Sequence, residues 1–164
     1  MKDIRFNEQA GKTLAALPEG AFLTAGDGKK CNVMTIGWGS IGFMWRIPVF
    51  TVLVRPSRYT HEFMAGGEFT VSVPLGDMKK ALAVCGSKSG RDTDKVREAG
   101  IKLRAGQKVA TPVVDGCGLY YECKVVYKYE LVPGQLAAGL NAECYKDGDH
   151  HTVYVGEIVA AYME

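Results

Sequence analysis

The sequence contains no apolar run approaching the roughly 20 residues that a membrane-spanning helix needs. It contains no C-x-x-C pair, and its five cysteines, at positions 31, 85, 117, 123 and 144, are odd in number. A disulfide framework and a zinc site are therefore not expected, and the cysteines read as free thiols in a reducing compartment. Histidine is scarce, with three in 164 residues, and the one cluster, "DHH" at 149–151, has no Cys or His spacing to match it. No metal site is read there. Charge of one sign is also lacking: 20 Lys and Arg stand against 18 Asp and Glu, a net of +2. That balance gives no electrostatic case for binding nucleic acid or an acidic membrane surface. The opening stretch, "MKDIRFNEQAGKTLAALPEG", alternates charge with small apolar residues. It lacks the uninterrupted apolar core of a signal peptide, and a cytoplasmic protein with no membrane association is expected.

What is present is an ordinary globular composition, 47% hydrophobic and 23% charged, read as a single domain over residues 1–164. Ala10, Leu14 and Leu17 fall at helical spacing, and Pro18 ends that helix. The texture then changes. "AFLTAG", "CNVMTIGW", "VFTVLVR", "EFTVSVP", "LYYECKVVYKYEL" and "HTVYVGEIVAAY" are rich in Val, Thr, Tyr and Phe, and Gly, Pro or Asp bound most of them. These are strand signatures. Short helices are expected after Ser57, a candidate N-cap with Tyr59 and Phe63 on one face, and over "DMKKALAVCG" and "RDTDKVREAG". In the last of these, Asp92 and Asp94 lie near the start. There is no strict βαβ alternation and no internal repeat. The expected fold is mainly β, a closed antiparallel barrel with a few short helices, which also removes exposed sheet edges.

"GWGSIG", residues 37–42, matches the dinucleotide pattern G-x-G-x-x-G letter for letter. That pattern works because its last glycines open a helix whose N-terminus holds a pyrophosphate. Here the glycines run into "FMWRIPVFTVLVR", where Pro48 and strand-spaced Val, Phe and Thr leave no helix. The segment reads instead as a glycine-kinked turn or bulge between barrel strands.

Three segments carry chemistry. "NVMTIGW", residues 32–38, sets Asn32 and Thr35 among large apolar residues beside a glycine. It suits the edge and face of a flat aromatic ligand. "RPSRYT", residues 55–60, places Arg55, Ser57, Arg58, Tyr59 and Thr60 where a strand ends and a helix begins, a chemistry suited to phosphate. "CGSKSGRDTDK", residues 85–95, is a hydroxyl-rich cationic loop that fails the Walker A pattern but shares its chemistry. Two such loops in a nearly neutral protein point to one shared anionic ligand.

These segments, with "VFTVLVRPSRYTHEFM", "EFTVSVP", "ECKVVY" and "HTVYVGEIV", in this order, resemble the flavin reductase-like, FMN-binding split-barrel proteins, the flavoredoxin type above all. The resemblance runs from about Pro18 to Tyr162. It implies a Greek-key split β-barrel, a homodimer, and FMN held noncovalently near the dimer interface. By motif, Asn32, Met34, Thr35, Ile36 and Trp38 would lie along the isoalloxazine and ribityl chain. Arg55, Ser57, Arg58, Tyr59 and Thr60 would serve the phosphate end, joined by Ser87, Lys88, Ser89 and Lys95, with Cys85 beside the flavin. His151 matches a histidine that lies near flavin and nicotinamide in such reductases, while His150 stands where an aspartate is common. Trp38 and Trp45 also fit a core or interface role.

The function implied is a flavoprotein oxidoreductase, an NAD(P)H-dependent flavin reductase in which the cofactor carries the redox chemistry and the protein binds and orients it. The alternative is a flavin-carrying electron-transfer protein that works with a redox partner protein and turns over no NAD(P)H itself. Related split barrels also bind haem as plain ligand-binding modules, but no opposing pair of ligands marks this sequence for haem. The two cationic loops favour a bound FMN over a diffusible one.

Overall fold

The computed structural model describes residues 1–164. Ten strands and five α-helices follow one another along the chain: β1 (Lys2–Asp3), α1 (Ala10–Ala16), β2 (Ala21–Gly26), β3 (Cys31–Ile36), β4 (Gly39–Met44), β5 (Ile47–Val54), α2 (Thr60–Phe63), β6 (Glu68–Pro74), α3 (Lys79–Ser87), α4 (Lys95–Ala99), β7 (Leu103–Arg104), β8 (Val113–Val114), β9 (Gly118–Glu130), α5 (Ala138–Cys144) and β10 (Thr152–Met163). One antiparallel sheet takes the order β3-β2-β6-β9-β10-β5-β4, with β1 added to the end of β10 and β7-β8 forming a separate ribbon. No helix is long and apolar enough to cross a membrane.

The connectivity forces this sheet to curl. Seven strands at a spacing of about 4.8 Å would hold the edges about 29 Å apart if the sheet were flat. Yet edge strand β3 passes to the opposite edge, β4, through Gly37 and Trp38 alone. Three Cα steps span at most about 11 Å. The two edges therefore meet without pairing, which is a split barrel. "GWGSIG" is the link and the first part of β4, and no helix follows it. Its glycines serve strand geometry rather than a pyrophosphate.

Period-two alternation gives the barrel two packed faces. Leu23, Ala25, Phe69, Val71, Val73, Leu119, Tyr121 and Cys123 point into the barrel core with Phe50, Val52 and Val54. Their neighbours Phe22 and Tyr120 point outward and are covered by Ala81, Leu82 and Cys85 of α3 and by Val113 and Val114. Two register shifts interrupt the β9-β10 ladder, at Val155/Gly156 and Ile158/Ala160. The second inserts one residue, so Ile158 and Ala161 both reach the barrel core. At the first, a Cβ on Gly156 would lie 2.5 Å from the Phe69 ring. Only glycine fits there.

Outward-facing Glu122 is fully buried. Its carboxylate accepts the N–H groups of Gln107, Lys108 and Val109 and the hydroxyl of Tyr162. Four donors satisfy the charge and fasten the 105–112 loop to the sheet.

Two helical expectations need correction. In α1 the buried residue is Thr13, whose hydroxyl meets the Tyr121 hydroxyl at 2.9 Å, while Leu14 is exposed. Tertiary pairing across the chain outweighs the apolar spacing. α2 has no side-chain cap, because the Ser57 hydroxyl is bound elsewhere. Asp94 does cap α4, accepting the Arg97 N–H, and Tyr59 and Phe63 do share one face of α2, edge to face at 4.9 Å.

Candidate functional site

At the open seam of the barrel a cavity of about 210 Å³ lies between the end of β3 and the end of β5. Met34, Thr35, Ile36, Gly37 and Trp38 form one side, and Leu53, Arg55, Arg58 and His151 the other. Strand alternation does not order the Gly37–Trp38 link, so the Trp38 side chain is left half exposed at the mouth, its ring 5.2 Å from that of His151. Thr35 donates its hydroxyl proton to the Leu82 carbonyl at 2.6 Å. It faces the cavity as an acceptor only. Asn32 sits behind the wall, buried, donating to the Thr60 hydroxyl at 2.7 Å and so joining β3 to α2.

Arg58 also belongs to a second, smaller chamber of about 110 Å³. Ser57, Tyr59 and Thr60 line it from one segment, and Ser87, Lys88, Ser89 and Lys95 from the other. Cavity and chamber thus share a wall, and together they reach the low end of small-molecule sites, about 300 Å³. The loop that closes the chamber lies directly on Asn32, since a Cβ on Gly90 would fall 2.1 Å from the Asn32 Oδ1.

The cations around this cleft divide into two kinds. Arg55 pairs with Asp147, Lys88 with Glu98 and Arg91 with Glu62. Arg58 and Lys95 have no carboxylate partner. Arg58 donates to the Gly86 carbonyl at 2.9 Å and Lys95 to the Cys85 carbonyl at 3.3 Å. Lys95 is only 4% exposed. Its ammonium carries three protons and makes one hydrogen bond, so two donors remain for a guest. Burial is the main reason the Lys95 amine drops from 10.5 to about 8; burial, with the Arg55 charge second, also lowers Arg58. Both sites hold positive charge against its desolvation cost.

The structure places Arg55 on the cavity side, not at the chamber. Its guanidinium donates to Asp147 Oδ1, the Asp149 carbonyl and the Cys144 carbonyl, and it lies 5.1 Å over the Tyr145 ring. Ser57 adds a hydroxyl bond to Asp149 Oδ2 at 2.5 Å. Together they fasten the segment from α5 to β10 across the cleft. Within that segment Tyr145 stacks on His150 and meets His151 Nδ1 at 2.8 Å. Burial first, then the Arg55 charge, lowers His151 to about 4. The imidazole is neutral at pH 7, with Nδ1 engaged.

Of the residues expected to hold FMN, with His151, all but Asn32 and Cys85 line the joined cleft. The Cys85 thiol is fully buried in the outer core with Phe22 and Leu82, and its carbonyl accepts from Lys95. Leu53, Tyr145, Asp147 and Glu62 contribute from outside the three segments read for chemistry, while Arg91 lies inside one of them and Asp149 inside "DHH", with no role read for either. Asp147 and Asp149 precede the two histidines, and that proximity is the one signal available for them.

The family model described as "Flavin reductase like domain" matches residues 16–164. A protein of Archaeoglobus fulgidus is 29% identical over 137 residues, covering 80% of this chain and 77% of its own. Flavoredoxin from Methanosarcina acetivorans is 31% identical and superposes with a TM-score of 0.70, over 88% of this chain and 68% of its own. The Streptomyces globisporus NADH:FAD oxidoreductase, at 20% identity, shares the fold with a TM-score of 0.68 over 88% of this chain and 74–75% of its own. The curled sheet, the cationic chamber at its seam and the match over nearly the whole length agree, and the chain belongs to the flavin reductase like domain family.

Proposed function

We propose that the chain is an FMN-binding oxidoreductase, reduced by NAD(P)H. The observation that carries this reading is the joined cleft itself. A half-exposed aromatic cavity shares Arg58 with a chamber holding two cations that no carboxylate neutralises. A flat, largely apolar ring system on a phosphorylated tail has this distribution of chemistry.

The residues present fit such a group. Met34, Ile36, Leu53 and Trp38 offer apolar and aromatic contact for a ring. Thr35 accepts a hydrogen bond at a ring edge. Arg58 and Lys95 neutralise a phosphate, and Ser87 and Ser89 line the same chamber. When bound, the flavin supplies two-electron chemistry, accepting hydride from a nicotinamide. Neutral His151, held at Nδ1 by Tyr145, keeps Nε2 free at the cavity as a hydrogen-bonding group that adds no charge. The segment fastened by Arg55 and Ser57 limits water at that side.

Assembly belongs to the same proposal. Phe43, Met44 and Trp45 at the β4-β5 hairpin and Val126, Tyr127 and Tyr129 on β9 are exposed, with Trp45 against Tyr127 at 6.1 Å. A second copy covering this strip accounts for so much exposed aromatic surface. Sedimentation at micromolar concentration should then give twice the chain mass, and a monomer would refute the pairing.

An anaerobic absorption spectrum, taken before and after adding FMN and then NADH, tests the function. Flavin bands that shift on binding and bleach with NADH are expected. Bands that bleach only with dithionite would favour the second reading, an electron carrier, which the 31% identity to a flavoredoxin supports. No flavin binding at all would overturn both.

A further inference from the structure

The two segments that wall the chamber are bolted together by a residue that belongs to neither cavity nor chamber lining. Arg91 donates to the Ser57 carbonyl at 3.1 Å, pairs with Glu62 at 2.5 Å, and lies 4.9 Å over the Tyr59 ring. Its own N–H donates to the Ser89 hydroxyl at 3.2 Å. Ser57, Tyr59 and Ser89 are all chamber residues. One side chain and its backbone thus join both walls.

We propose that Arg91 is a specificity-determining residue that restricts this site to flavins ending in a phosphate monoester, admitting FMN and rejecting FAD. The inference rests on the proposed flavin reading. Two features support it. The first is charge. Arg58 and Lys95 present two uncompensated positive charges, held by carbonyls that orient them without cancelling them. A phosphate monoester brings close to two negative charges at neutral pH. Each phosphate of a dinucleotide carries one ester and one anhydride link and brings one. Such a group seated here leaves one of the two cations without a counter-charge, and the second phosphate must lie outside.

The second feature is room. A volume of about 110 Å³ holds one phosphate with little to spare. Continuing from that phosphate to a second one and a nucleoside requires a way out between the walls, and Arg91 fastens them together. Two of its five side-chain donors go to Ser57 and Glu62, and its side chain lines neither cavity nor chamber, so it acts as a bolt and not as a third phosphate ligand. Arg91 is a positioning residue, and its effect is read in ligand preference rather than in turnover.

The test is direct titration of FMN, riboflavin and FAD into the apoprotein, followed by quenching of flavin fluorescence, for the wild type, Arg91→Ala and Glu62→Gln. The wild type should bind FMN about tenfold or more tighter than either riboflavin or FAD, the worth of one charge-assisted hydrogen bond or more. In both variants the FAD dissociation constant should fall, narrowing the FMN-to-FAD ratio by about fivefold. A merely structural role for Arg91 would weaken all three ligands together. If Arg91→Ala does not fold, Glu62→Gln, which loosens the bolt while keeping the cation, decides by the same criterion. FAD binding as tightly as FMN in the wild type, or an FAD constant that does not fall in the folded variants, would overturn this inference alone. Failure of all three flavins to bind would overturn the flavin reading with it.

Discussion

Lys95→Met separates the role of the chamber from the stability of the fold, because the two respond in opposite directions. In the apoprotein, Lys95 keeps its charge while 4% exposed, with one carbonyl as partner. An amine that titrates at about 8 instead of 10.5 holds that charge at a cost of about 3 kcal/mol at pH 7. Methionine fills a similar volume without charge. It leaves the Cys85 carbonyl without its donor, which takes back about 1–2 kcal/mol. The apoprotein should therefore gain about 1–2 kcal/mol, a Tm rise of about 3–6 °C for a chain of this size. The pH dependence has a fixed sign. Between about 8 and 10.5 the unfolded chain binds the Lys95 proton and the folded chain does not, so wild-type stability rises with pH through that window. Lys95→Met should lack that rise.

Binding should move the other way. The variant loses a charge-assisted hydrogen bond to phosphate, worth about 1.5–3 kcal/mol, so the FMN dissociation constant should rise about 10- to 150-fold. Riboflavin, which has no phosphate, should bind both proteins about equally. Thermal unfolding of the apoprotein at pH 7 and pH 9.5, together with titration of the two flavins, reads all of these. A variant that unfolds at lower temperature and keeps the wild-type ratio of FMN to riboflavin affinity would refute the assignment, and Lys95 would then be a buried structural cation.

Arg55→Ala should let the His151 imidazole rise from about 4 towards its ordinary value, since the Arg55 charge is the second cause of its depression after burial; a proton NMR titration of the ring signals checks this. The same variant should speed amide exchange over residues 138–150, which Arg55 holds through two carbonyls. Gly156→Ala should destabilise the fold by about 3 kcal/mol in urea unfolding, because its Cβ would lie 2.5 Å from the Phe69 ring and 2.8 Å from the Cys123 Cβ.

The strands were legible because Val, Thr, Tyr and Phe runs end at Gly, Pro or Asp, and the two long strands β9 and β10 stand out most clearly. Their bulges were not legible. A bulge is a property of pairing between strands far apart in sequence, and the signal at Gly156 is a single glycine in a strand. β4 read as a turn because Gly39 and Gly42 dilute its propensity, and only its ladder with β5 makes it a strand. Thr13 was hidden for the same reason, since its partner Tyr121 lies 108 positions away. The cationic segments at 55–60 and 85–95 were legible as anion chemistry from residue type alone. Which of their cations stay free was not, because the neutralising carboxylates are scattered from Glu62 to Asp147.

That division of cations follows from where each side chain sits. Lys88 and Arg91 are well exposed, and a carboxylate partner there costs little and contributes little, about 0–1 kcal/mol. Arg58 and Lys95 are the more deeply placed pair, and a carboxylate beside either would cancel its attraction for a ligand. Backbone carbonyls of Gly86 and Cys85 solve this differently. A carbonyl is a dipole without net charge, so it fixes the cation's direction and eases part of its desolvation while the full positive charge remains. Both carbonyls sit near the end of α3, so one short segment aims both cations into the chamber. The resulting site holds two cations without a counter-charge, and burial is the first cause that lowers both Lys95 and Arg58. A near-neutral composition conceals this completely. Charge balance over the whole chain constrains solubility and long-range steering, and carries no trace of two cations left without counter-ions in one chamber.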